Sequence, residues 1–140
     1  MAVDSSASVH WEGDLTSGAG QATLSSGAAG PLAVEWKSRS EGSGPNTTPE
    51  ELIAAAHATC FSMTLSNMLG KAGTPPASLD VTATATFVPG TGITGMKLVL
   101  TGDVPGVSAE EFATAADTAK VNCPVSKALA GNVPVTLEIL

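Results

Sequence analysis

Thr48-Pro49-Glu50-Glu51-Leu52-Ile53-Ala54-Ala55-Ala56-His57-Ala58-Thr59-Cys60-Phe61-Ser62-Met63-Thr64-Leu65-Ser66-Asn67-Met68-Leu69 carries the strongest local signal in the chain. Thr48 stands at N-cap, Pro49 at the first helical position and Glu51 at N3, the pattern that satisfies the free N–H groups of a helix start. The capping box accounts for Glu51, and the positive end of the helix accounts for Glu50. Strong helix formers follow without a break, and the helix is expected to stop at Gly70 or Gly73, ahead of Pro75-Pro76. It is apolar nearly all round, so it should be buried on more than one side, by its own sheet and by a symmetry mate.

Upstream, Ala7-Ser8-Val9-His10-Trp11-Glu12 and Gln21-Ala22-Thr23-Leu24 alternate around glycine-rich turns, as the strands of a hairpin or meander would. Leu32-Ala33-Val34-Glu35-Trp36-Lys37-Ser38-Arg39 reads as a third strand, with Leu32, Val34 and Trp36 on one face and Arg39 near its end. Ser40 to Thr47 reads as a polar loop. Downstream, Ser78 to Phe87 and Ile93 to Thr101 alternate as two more strands. Ser108-Ala109-Glu110-Glu111 is a second capping box, opening a helix with Phe112, Ala115, Ala116 and Ala119 on one face. Cys123-Pro124-Val125-Ser126-Lys127-Ala128-Leu129 reads as a short helix with Cys123 at N-cap, and Val133 to Leu140 as a closing strand. The class is α+β, with no repeats and no glycine-rich phosphate loop opening a helix.

A chain of 140 residues predicts one domain, 1–140. With 43% hydrophobic but only 4% aromatic residues, its core must be built from Ala, Val and Leu and will be thin, which favours a homo-oligomer. A net charge of −7 excludes a polyanionic partner, because nucleic-acid binding rests on cationic side chains and Arg39 is the single arginine. No unbroken apolar run has the length of a bilayer, and residues 1–7 lack the basic and apolar regions of an export signal, so no membrane partner and a cytoplasmic location are expected.

Two cysteines in such a chain are reactive or buried more often than permanently bridged. Inside its helix, Cys60 is read most simply as a small buried hydrophobe. Cys123 at a helix N-cap faces backbone N–H groups that favour a thiolate, so by position it would be the more acidic of the two. His57 and Cys60, at i and i+3, share a helix face, which admits a His–Cys pair or part of a metal site. A zinc site would need His10 and both cysteines to converge, and paired ligand spacing is absent.

The segment from Thr48 to Met63, together with His10-Trp11-Glu12-Gly13 and Asn122-Cys123-Pro124-Val125-Ser126-Lys127, resembles the OsmC branch of the OsmC/organic hydroperoxide resistance family, in the family's order and over essentially the whole chain. The resemblance implies an intertwined α+β homodimer, its long central helices wrapped by antiparallel sheets and its active sites at the interface. It implies a thiol peroxidase of oxidative or osmotic stress defence, in which Cys60 matches the peroxidatic cysteine, Cys123 the resolving one, Arg39 the catalytic arginine and Glu50 the catalytic glutamate. The expected partners are an organic hydroperoxide and an external dithiol, with no bound cofactor. The alternative is a non-catalytic redox-responsive or hydrophobic-ligand-binding stress protein on the same fold.

Overall fold

The computed structural model describes residues 1–42 and 44–140, and these fall into two compact units, Met1–Pro49 and Glu50–Leu140. In the first unit, strands β1 (Ala7–Glu12), β2 (Ala19–Leu24) and β3 (Leu32–Val34) form an antiparallel sheet in the order β1-β2-β3. The β1–β2 connection is fixed by Asp14, whose carboxylate accepts from the Thr16 and Ser17 amides at 2.8 Å each; these donors hold its pKa down at about 2. Gly20 lies beneath Trp11, where a Cβ would come within 2.8 Å of the indole ring.

The third strand is shorter than its alternation suggests. It stops at Val34, and Trp36–Glu41 form a short helix, α1, so Arg39 sits in a helical last turn rather than at a strand end. Glu35 takes the extended N-cap conformation, and its carboxylate accepts from the Ser38 hydroxyl at 3.1 Å. Gly42, at φ +64°, ends α1. The polar loop therefore begins at Gly42, and its Ser43 lies outside the described residues.

Helix α2 (Pro49–Lys71) begins at the proline and ends where Gly73, at φ +83°, turns the chain so that the Thr74 amide reaches the Leu69 carbonyl at 3.0 Å. In the second unit β4 (Ser78–Val88) pairs antiparallel with β5 (Gly92–Asp103), and exposure along β4 alternates residue by residue as its sequence requires. Helices α3 (Ala109–Asn122) and α4 (Pro124–Leu129) then lead to β6 (Val135–Ile139), which lies parallel to β5. The sheet, in the order β4-β5-β6, is therefore mixed rather than wholly antiparallel. At the start of α3 the predicted capping box is complete: the Ser108 amide donates to the Glu111 carboxylate at 2.9 Å, and the Glu111 amide donates to the Ser108 hydroxyl at 3.3 Å.

The core joins one stripe of α2 (Phe61, Leu65, Leu69) to Leu98 and Leu100 of β5 and to Phe112, Ala116 and Ala119 of α3. By length and composition α2 would also cross a bilayer, with a mean hydropathy of 1.2, but here it is the core helix.

Candidate active site

Two elements of the second unit bring the cysteines together. Cys60 lies midway along α2, and Cys123 occupies the N-cap of α4 with Pro124 at N1, as the sequence indicates. Their thiols are within hydrogen-bond reach of one another. Their exposure differs: Cys123 is wholly buried in the core, whereas Cys60 packs at the edge of the core and keeps part of its surface.

The helix end does not serve the thiol it was expected to serve. The Cys123 side chain makes no capping hydrogen bond. The amide of Val125, in the first turn of α4, donates instead to the Cys60 sulfur. A second neighbour went unread in the sequence: Thr64, one turn after Cys60, donates its hydroxyl to the Cys60 carbonyl at 2.8 Å and also lies within reach of the sulfur. Its i, i+4 spacing was the available signal.

Burial is the largest influence on Cys60 and pushes its thiol pKa up, and the adjacent Cys123 adds to the rise. The Val125 amide and Thr64 act in the opposite sense without offsetting it. Left to these neighbours, the sulfur keeps its proton at neutral pH, and a cation brought to it would reverse the balance.

His57 does not pair with Cys60. Its Nε2 lies 2.8 Å from the Ser126 hydroxyl, both side chains are buried, and its Nδ1 has no partner. Burial pushes the His57 pKa down, so the ring is neutral at physiological pH. His10 is far more open, on β1, 3.5 Å from Glu12. Glu50 lies in the first turn of α2 on the buried stripe that continues through Ala54, His57 and Phe61. Arg39 belongs to the first unit, in the last turn of α1.

Residues 41–138 match the family model of the OsmC-like proteins. The chain belongs to that family. Peroxiredoxin OsmC of Escherichia coli K12 is 39% identical over 142 aligned residues, which cover 99% of each chain. The organic hydroperoxide resistance protein OhrA of Bacillus subtilis is 37% identical over 95 residues, 66% of this chain and 67% of the relative. Among solved structures, OhrB of Bacillus subtilis superposes with a TM-score of 0.75 at 24% identity, covering 96% of this chain and 98% of that one. The OsmC-like protein of Mycoplasma pneumoniae gives 0.74 at 14% identity over 100% and 98%. At these identities the two structures establish the OsmC-like fold, which has diverged far in sequence.

Proposed function

We propose that this OsmC-like chain is a thiol-dependent peroxidase that reduces organic hydroperoxides, with Cys60 as the peroxidatic and Cys123 as the resolving cysteine. The full-length relationship to a peroxiredoxin supports the activity. The observation that carries the cysteine roles is the unequal exposure of two adjoining thiols: a peroxide from solvent can meet Cys60, while buried Cys123 can meet only Cys60.

The Cys60 thiolate attacks one peroxide oxygen and the O–O bond breaks. The sulfur becomes a sulfenic acid, and the alkoxide leaves as the alcohol after taking a proton. The Cys123 sulfur then displaces hydroxide from the sulfenic acid, releasing water and forming the Cys60–Cys123 disulfide, which an external dithiol reduces by two electrons. No bound cofactor enters these steps. Arg39 supplies the cation that the Cys60 thiol requires and stabilises the departing alkoxide; Glu50 holds the guanidinium by a bidentate contact.

The active assembly is a homodimer of single-domain chains in the cytoplasm. Glu50 and Cys60 stand ten residues apart on one uninterrupted helix, hence about 15 Å apart along its axis, a span that a glutamate side chain does not cover. Two α2 helices packed antiparallel about a two-fold axis bring Glu50 of one chain towards the cysteine pair of the other. Cumene hydroperoxide with dithiothreitol tests the activity: wild-type protein should consume the peroxide catalytically. Disulfide formation without turnover would favour the redox-responsive alternative, and turnover surviving Cys60→Ser would end the proposed chemistry.

A further inference from the structure

Helix α4 is six residues long, too short to persist on its own backbone hydrogen bonds, so contacts elsewhere in the fold must hold it. Its one buried residue is polar, Ser126, and the partner that makes this burial tolerable is His57 of α2. Ser126 follows Cys123 by three residues and His57 precedes Cys60 by three, so the hydrogen bond and the thiol pair join the same two elements about one helical turn apart.

From this juxtaposition we infer that His57 and Ser126 are a positioning pair, which fixes the start of α4 on α2 so that the Cys123 thiol and the Val125 amide stay aimed at the Cys60 sulfur. The inference rests on the cysteine roles proposed above. Because the imidazole is buried and neutral, the bond brings no charge to the sulfur, and its effect is geometric. With Nδ1 unpartnered, the tautomer that strands a lone pair there rather than an N–H costs less in a core, and in that tautomer Nε2–H donates to the Ser126 hydroxyl.

The step most sensitive to this placement is sulfur–sulfur bond formation, which tolerates little error in the separation of the two residues. Reduced protein is mixed with one equivalent of cumene hydroperoxide, and acid-quenched samples are read by mass spectrometry for Cys60 sulfenic acid and for the Cys60–Cys123 disulfide. All variants are assayed well below their unfolding midpoints. Ser126→Ala and His57→Leu should slow disulfide closure by about ten- to a hundredfold while sulfenic acid still forms. His57→Gln, which keeps an N–H near the position of Nε2, should restore closure. Met96→Ala, a buried β5 change that removes stability elsewhere, should leave the ratio of the two rates unaltered. Wild-type closure in Ser126→Ala and His57→Leu would overturn the inference, as would equal slowing in His57→Gln or in Met96→Ala. Oxidation persisting in Cys60→Ser would instead overturn the cysteine roles, so the two failures are distinguishable.

Discussion

Cys60 retains solvent exposure and a raised pKa together, which separates access from activation: the fold lets a peroxide in, and the thiolate left when the sulfur loses its proton needs a cation to stabilise it. Arg39→Lys keeps a charge but loses the planar fork, so it should lower peroxide turnover by about a hundredfold while the unfolding midpoint moves little. Steady-state turnover and thermal unfolding of the same sample check this. Cys123→Ser should still form Cys60 sulfenic acid but no intrachain disulfide, as mass spectrometry after one equivalent of peroxide would reveal. His57 gives a pH signature. Its folded pKa lies below the ordinary 6.5, so below about pH 6.5 the unfolded chain takes up a proton that the folded chain resists. Stability should therefore fall as the pH drops through that window towards the folded pKa, and His57→Gln should remove that part of the slope in urea unfolding followed from pH 7.5 to 5. By position alone the sequence drew notice to Cys123 at a helix start, whereas Cys60, Arg39 and Glu50 entered as candidates through the family resemblance. Ser126 could not be picked out, since a serine 69 residues from its histidine leaves no local pattern, and the Val125 amide is no property of a side chain at all.

At the scale of elements, the alternating strands, the start of α2 at Pro49, the capped start of α3 and Pro124 at the head of α4 were legible because each rests on contacts within a few residues. The exception was Leu32–Arg39, where alternation ran on past the end of the strand. Glu35 followed by Ser38 and then Gly42 is a helix start and stop that period-two reading overlooks. The parallel placement of β6 was equally hidden, since strand direction depends on the route of the intervening chain rather than on the strand's own residues. Packing of α3 on the sheet depends on Gly102: a Cβ there would come within 2.4 Å of the Phe112 ring and 3.1 Å of Leu79. Gly102→Val should cost about 1–3 kcal/mol through overpacking, measured by urea denaturation.

Across the whole molecule, much apolar surface stays open: every residue of β1 is exposed, including Val9 and Trp11, and Met63 of α2 is 68% exposed. A second copy of the chain is the occupant expected of such surface, and sedimentation should give twice the chain mass. If Glu50 crosses over, refolding Glu50→Gln together with Cys60→Ser should regain about a quarter of wild-type activity, because half the dimers are mixed and each mixed dimer has one intact site. No recovery would place both groups in one chain. The parallel strand β6 bears on the history of each molecule as well as on its shape. Everything between β5 and β6, Cys123 included, is the crossover that lets β6 lie parallel to β5, so Cys123 is made only after α2 and both long strands of its sheet. A ribosome-bound chain thus exposes Cys60 well before its partner sulfur is in place. An oxidant that reaches it then forms a sulfenic acid with nothing to resolve it, and the damage can run on to the irreversible acids.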